Sequence, residues 1–384
     1  WRLRLQAHLF YTNGGRHSTL LKLARKLLFQ GMLGIGEIDS AALATYEERA
    51  RLILRSLEVP LVGDRTAQAL EYRVASTTRT GLDRSGPWRP LPPTDAFGSV
   101  EEEIELTDQD LHLVDRMRGS VTLEVRTRCE ANMDLFTERG RRTWTTLCGQ
   151  APVLGRAVAR LVEEEGLSVI SDIDDTVKVT EVFRGKGALL RNTFLRRFRA
   201  VDGMANLYRR WASDHGAVFQ YVSKSPPELH GPLCDFLQEE RFPVASVHLC
   251  SLFSRERGNF KKTQIERIFA DFPRRRFVLV GDSGEHDPQI YADLLRRHPG
   301  QVEKVLIREV DPSMPVDTAS VFGGLPAARW QVFRDPVEIR LPQQEEEEQK
   351  KPWRFRWPWN AAEPTQQAAA SPRAQAAQAW AAVA

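Results

Sequence analysis

Cysteine is scarce in this chain: four residues in 384, at Cys129, Cys148, Cys234 and Cys250. They form no CxxC pair and no zinc-ligand spacing, which excludes a disulfide-stapled scaffold or a zinc module and fits reduced structural thiols in a cytosolic protein. No apolar run approaches the roughly 18 residues that a membrane-spanning helix needs. An excess of one charge sign is also missing. Lys and Arg number 54 against 51 Asp and Glu, a net charge of +3, far from the strongly basic balance of a nucleic-acid-binding domain. The initiating methionine is absent, as expected of a fragment or processed form, and no signal-peptide pattern is visible. What remains is an ordinary globular composition, 42% hydrophobic and 27% charged, on a chain long enough for two domains.

Three regions differ in pattern. In residues 1–150, WRLRLQAHLF alternates like a strand, and residues 18–30 and 41–56 carry the apolar spacing of helices, with Ser18 as a candidate N-cap. LEYRVAST, SVEEEIEL, GSVTLEVRTR and TWTTL then predict short strands between turn residues, with DRSGPWRPLPPTDAFG as a loop. The expectation is a small β-rich domain, a sandwich, carrying inserted helices. In residues 151–340, fully apolar strands alternate with amphipathic helices: LSVISD, AVFQYVS, VASVHLC, RRFVLVGDS and VEKVLIREV are strands, separated by helices such as MANLYRRWASDHG and KKTQIERIFADF. That βα order predicts an α/β fold, a parallel sheet covered on both faces, with ligands at the carboxyl ends of its strands. Residues 341–384 hold EEEE, then KKPWRFRWPW, then an Ala/Gln/Pro-rich stretch, and predict a disordered tail.

The strand ends carry the chemistry. The first ends in DIDDT, where Asp172 and Asp174, two apart, leave the sheet on one side. Paired carboxylates repel unless one is protonated or a cation lies between them, and Mg²⁺ suits a few carboxylates plus a substrate phosphate. An Asp-rich turn or helix cap is the plainer reading of the same residues. At the end of the second strand Ser223 precedes a helix, where a hydroxyl and backbone amides can hold a phosphate oxygen or simply cap the helix. Lys261 and Lys262 open a later helix; one reaching the sheet edge would neutralise phosphate, and spacing does not decide which of them points inward. The fourth strand ends in VGDSGEHD, offering Asp282 and Asp287 as further metal ligands or as Asx-turn caps.

In that order (DxDxT, Ser, Lys, GDxxxxD) the residues resemble the haloacid dehalogenase superfamily. The stretches EEEGLSVISDIDDTVKVTEV, LLRNTFLRRFRAVDGMANLYRRWA, FQYVSKSPPEL and FPRRRFVLVGDSGEHDPQIYADL are similar to the catalytic domain of the actin-patch-associated phosphatidate phosphatases, over residues 150–335. The resemblance implies a Rossmann-like core with little or no cap, and Mg²⁺-dependent hydrolysis of phosphatidate to diacylglycerol. On that basis Asp172 is the expected nucleophile and Asp174 the expected general acid and base, with Thr176 steadying their loop. Ser223 and Lys261 would hold phosphate oxygens. Asp172, Asp282, the Asp174 carbonyl and Asp287 would surround the metal. Dehalogenases of the superfamily do not need the second acid, so its presence favours phosphoryl transfer.

The sequence departs from the family at Pro227, where an aromatic usually follows the Ser-Pro pair, and in a short segment before Lys261. The insert after the first motif is basic (Arg184, Lys186, Arg191, Arg196, Arg197, Arg199) and would draw anionic headgroups or merely be a solvated face. The tail's Trp353, Phe355, Trp357 and Trp359, interleaved with Lys and Arg, fit a membrane interface or a protein partner equally. Expected partners are thus a lipid phosphate at a membrane surface and actin-patch or endocytic proteins, with a cytoplasmic, peripheral location and no nucleic acid. The alternatives are a phosphatase of the same mechanism acting on a soluble phosphoester, an adaptor working through its tail, and, more remotely, a Ca²⁺-binding module.

Overall fold

The computed structural model describes residues 2–9, 40–58, 70–75, 85–93, 99–115, 119–127, 154–251, 254, 257–339 and 376–383. The helix expected at 18–30, the strand TWTTL and the basic-aromatic part of the tail lie outside these residues.

The first part is β-rich. Strand β1 (Arg2–Leu9) is followed by helix α1 (Ser40–Glu58), strands β2 (Leu70–Ala75), β3 (Arg89–Pro90) and β4 (Ser99–Glu105), the single helical turn α2 (Asp108–Leu111), and strands β5 (Ser120–Thr127) and β6 (Leu154–Arg160). One sheet runs β3-β2-β5-β6, antiparallel at each pairing. In the other, β1 pairs antiparallel with β4 and parallel with a strand at residues 376–383. Alternate residues from both sheets share one core: Leu5 of β1 and Val100 and Ile104 of β4 pack with Leu70 and Val74 of β2 and Val121, Leu123 and Val125 of β5, the arrangement of a sandwich. β6 falls beyond the division at 150/151 read from the sequence, yet it completes the sheet of β5, because Gly155, Ala157 and Ala159 are small and buried while Arg156, Val158 and Arg160 face out, the alternation of a half-buried strand. Residues 376–383, within the stretch read as a disordered tail, are paired along the whole length of β1.

The second part begins at β7 (Gly166–Ser171). After it come a 3₁₀ turn (Val182–Arg184), α3 (Lys186–Leu190) and a π turn (Arg191–Leu195). Then follow α4 (Met204–Asp214), β8 (Val218–Ser223), α5 (His230–Glu239), β9 (Ala245–Leu249), α6 (Phe260–Asp271), β10 (Arg275–Asp282), α7 (Asp287–Arg297), β11 (Val302–Arg308), α8 (Thr318–Phe322) and β12 (Trp330–Phe333). Six strands form one sheet in the order β12-β11-β10-β7-β8-β9, parallel throughout. This is the α/β parallel sheet expected from the sequence. The sixth strand, β12, was not legible: WQVF is four residues long and lacks a flanking helical pattern to set it off.

Side-chain alternation along the central strands sends successive residues to opposite faces. Val169, Val278, Val280 and Leu306 pack under α4 and α5 with Leu207, Trp211, Leu233 and Phe236. Ile170, Leu279, Val305 and Ile307 pack under α6 and α7 with Ile265, Phe269, Tyr291 and Leu295. Chain order reverses beside β7: the chain leaves toward β8 and β9, then returns to β10 on the other side. That switch opens a crevice at the carboxyl ends of β7, β8 and β10.

The insert after β7 is only three short helical turns, which fits the expectation of little cap. It does have a cover that sequence did not foresee. Tyr46 of α1 packs on Leu195, beside Ala42, Leu43 and Phe194. Arg49 donates to the carbonyls of Thr193 at 2.5 Å and Arg196 at 2.8 Å, with its guanidinium 3.7 Å from the centre of the Phe198 ring. Among the described residues, no helix is long and apolar enough to cross a membrane.

Candidate active site

β7 delivers Asp172 to the crevice, and the chain then turns sharply. Asp175 makes the turn possible. It adopts a left-handed φ of 54°, and its carboxylate accepts the backbone N–H groups of Thr180, Glu181 and Val182 at 2.8, 2.7 and 2.6 Å. Three amides on one buried carboxylate fix the loop that carries Asp174. Thr176 is wholly buried in that turn, its amide directed at the Ile173 carbonyl and its hydroxyl oxygen unpartnered.

Asp174 has its own partners, distinct from those of Asp172. One of its oxygens meets Lys178 Nζ at 2.7 Å and the Thr180 hydroxyl at 2.7 Å. The other accepts the hydroxyls of Ser225 at 2.8 Å and Ser223 at 3.2 Å. Burial pushes the Asp174 carboxyl up, but the Lys178 ammonium and these hydroxyls outweigh it and hold the group well below the usual carboxylate range. Ser223 also accepts the Ser225 N–H at 2.9 Å, which sets its hydroxyl at the end of β8.

Lys261, in the first turn of α6, points inward and is buried. Its Nζ lies 3.0 Å from Asp172 and 2.5 Å from Asp287. Lys262 turns outward to the half-exposed Asp293 at 2.9 Å. The question that spacing left open is thus decided by helix phase: successive residues on a helix diverge by about 100°, and the Lys261 side faces the sheet.

Asp282 ends β10 and accepts the Gly284 N–H at 2.6 Å; Asp287 opens α7. Their approach depends on Gly281. A Cβ there would strike the Asp287 carboxylate and lie 2.7 Å from Tyr291, so only glycine lets α7 start this close to the strand.

Asp172, Asp282 and Asp287 are all buried and present carboxylate oxygens within 4.8 Å of one another. At an effective dielectric near 20, each such pair repels by about 3 kcal/mol. Lys261 attracts with an energy of the same order, which leaves the desolvation of four buried charges uncompensated. The shifts of these groups follow from that imbalance. Burial raises the Asp172 carboxyl well above normal, opposed by Lys261 and reinforced by Asp287, Asp282 and Asp174. Burial and then Asp287 push Asp282 up to about 8. Burial would lower Lys261, but Asp172 and Asp287 raise it well above normal. Asp287 also keeps one buried oxygen, Oδ2, without a hydrogen-bond partner. Surplus negative charge and an unused buried carboxylate oxygen fit a divalent cation bound by oxygen.

The structure therefore brings Asp172, Lys261, Asp282 and Asp287 into one cluster, and Asp174 and Ser223 into an adjacent one. The Asp174 side chain lies outside the group of three clustered carboxylates. Sequence reading gave no role to Asp175, Lys178, Thr180 or Ser225. The signal for Ser225 was present in its two-residue spacing from Ser223. The other three act across a tight turn, where no period applies.

Residues 167–309 match the family model described as "Phosphatidate phosphatase APP1, catalytic domain". This segment is similar to that family's catalytic domain. The chain is 32% identical over 172 residues to phosphatidate phosphatase APP1 of Saccharomyces cerevisiae, spanning 42% of this chain and 29% of the yeast protein. It is 30% identical over 159 residues to an uncharacterized protein of Schizosaccharomyces pombe, spanning 39% of this chain and 26% of that protein. The match thus covers less than a third of either relative. A crystal structure titled as a haloacid dehalogenase-like hydrolase from Burkholderia xenovorans aligns with 45% of this chain and 94% of its own, at 11% identity and a TM-score of 0.30. The fold described here stands on the strand order, not on that likeness. The family's matched residues span β7 to the end of β11, and so contain all seven side chains singled out from the sequence.

Proposed function

We propose that this chain is a Mg²⁺-dependent phosphatidate phosphatase working through an aspartyl-phosphate on Asp172. The observation that carries the reading is the buried group Asp172, Asp282 and Asp287 with a single lysine, at the topological switch of a parallel sheet. The family match adds the lipid phosphate as substrate.

Asp172 attacks phosphorus in line, its Oδ–P bond forming as the P–O bond to the glycerol oxygen breaks, and protonated Asp174 gives its proton to that leaving oxygen. Ser223 and Lys261 hold phosphoryl oxygens and align them. Asp172, Asp282, Asp287 and the Asp174 carbonyl would hold Mg²⁺, which when bound supplies neutralising charge to the phosphoryl oxygens. Asp174 then takes a proton from the water that attacks the acyl phosphate, and its ionised state suits that step. Proton donation to the leaving oxygen demands the protonated form, which Lys178, Thr180 and Ser225 oppose. The first step is therefore the pH-sensitive one, and turnover of substrates with basic leaving oxygens falls as pH rises. Thr176 acts by holding the turn.

A membrane-surface substrate fits the thin cover over the crevice. In the basic insert, Arg184 is paired with Glu181 and Arg197 with Glu239, and Arg196 bonds Asn192. Lys186, Arg191 and Arg199 remain to meet anionic headgroups from a cytoplasmic, peripheral position at membranes or cortical actin patches. Neutralising these three should weaken sedimentation with phosphatidate liposomes; unchanged binding refutes the contact.

The deciding assay is phosphate release from mixed micelles of phosphatidate, with and without Mg²⁺, beside sugar and nucleotide phosphates. Metal-dependent release from phosphatidate is expected. Equal or faster release from a soluble phosphoester would replace the substrate but keep the mechanism.

A further inference from the structure

Two loops at the crevice mouth each contribute a charge so far without a role. Lys224 stands between Ser223 and Ser225, the two hydroxyls that bind Asp174. Glu285 stands between Asp282 and Asp287. Lys224 Nζ and Glu285 Oε2 meet at 3.1 Å, and the same Glu285 oxygen lies 3.9 Å from Lys261 Nζ. The pair is only partly covered, with 20% of the Lys224 side chain and 29% of the Glu285 side chain exposed. A single carboxylate therefore touches one lysine of the buried cluster and a second lysine at its rim. Those are the contacts a phosphate oxygen would make in the same place.

We propose that Glu285 is a built-in occupant of the phosphate position, and that Lys224 is a phosphate-binding residue which passes from Glu285 to the incoming phosphate. This rests on the phosphatase reading only in taking a phosphate group as the ligand. The charge balance requires something of this kind. Lys261 is already shared by Asp172 and Asp287, and a bound Mg²⁺ together with that lysine would only offset the three carboxylates, so a phosphate dianion entering beside them calls for a further cation. Lys224 supplies another cation, on the strand end that also carries Ser223. With the phosphate absent, Glu285 keeps both lysines directed at the site. With it present, two anions cannot share the position, and Glu285, whose side chain already meets water in part, turns outward at little solvation cost. The same competition favours release of product phosphate.

The test uses the full chain in Mg²⁺ buffer and inorganic phosphate as the probe, read by titration calorimetry. Loss of one charge-assisted contact corresponds to about a tenfold change in affinity. E285Q should bind phosphate about tenfold more tightly and K224A about tenfold more weakly, with K224R recovering most of the loss. Melting temperatures should not move, since the pair is near the surface. Equal phosphate affinity in wild type, E285Q and K224A overturns the proposal, whether or not the wild type hydrolyses phosphatidate. A second arm compares KM for micellar phosphatidate and for glycerol 3-phosphate. K224A should raise both; a rise confined to micelles overturns the proposal by placing Lys224 on the lipid surface instead.

Discussion

Both halves of this molecule bury carboxylates, and they treat them in opposite ways. In the β-rich part, Glu124 of β5 is met by Arg73 and Arg156, each at 2.7 Å. Asp110 receives a two-pronged contact from Arg89, both arms at 2.8 Å, and the Thr107 N–H and hydroxyl as well. Among the described residues, each buried negative charge there has a cation or a set of donors of its own. In the α/β part, Asp172, Asp282 and Asp287 share Lys261. A fold that only needed stability would not gather three acids around one base, because removing such charges from water costs several kcal/mol each. The surplus identifies the region built for a ligand, and the balanced pairs identify the region built for packing.

Replacing residues on each side should break the comparison in a predictable order. The largest effect belongs to Asp172→Asn, which removes the proposed nucleophile; phosphate release should fall by at least about a thousandfold while the circular dichroism spectrum is kept. Release near the wild-type rate would end the covalent mechanism. Next is Asp110→Ala. It strands the Arg89 fork and removes the Asp110 half of the capping box that starts α2, and should cost about 2 kcal/mol in urea unfolding. Asp282→Asn should do the reverse in metal-free buffer and raise the melting temperature, since it relieves repulsion, even as it abolishes turnover.

The pH dependence sharpens the same contrast. Asp282, pushed up to about 8, binds a proton in the folded state that it releases near pH 4 when unfolded. Its contribution is therefore fully present below about pH 4 and is lost as pH rises toward 8. Asp172 shifts in the same direction. Asp174 shifts the other way, so its contribution is lost only as pH falls below the usual carboxylate range. Metal-free melting temperatures should thus decline from pH 4 to 8, and Mg²⁺ should remove most of that slope; an equal slope with the metal would argue against the cation site. The smallest effect is Lys262→Ala. Its exposed pair with Asp293 is worth less than about 1 kcal/mol, so stability and turnover should barely change, whereas Lys261→Ala should abolish turnover.

Much of this was legible in sequence because its signals are local. Five apolar strands, the helices between them and the acids at their ends follow from runs and spacings of a few residues. β12 escaped because four residues carry no period. The assignment of β6 to the sandwich escaped because pairing with β5 spans a stretch of chain that has no pattern linking them. The placement of α1 on the insert after β7 depends on Arg49 finding carbonyls about 145 residues away, and no local pattern encodes such a contact.

The sequence by itself determined the chemical types at the strand ends, and hence that Asp172, Asp174, Ser223, Lys261, Asp282 and Asp287 were the residues to inspect. Only the tertiary structure decided which carboxylates share space. It separated Asp174, held by Lys178 and two serines, from the three acids around Lys261, and it chose Lys261 over Lys262. The physical reason is that charge coupling depends on distances of a few ångströms and on burial. Both arise when strands far apart in the chain lie side by side and a helix starts over the glycine at 281.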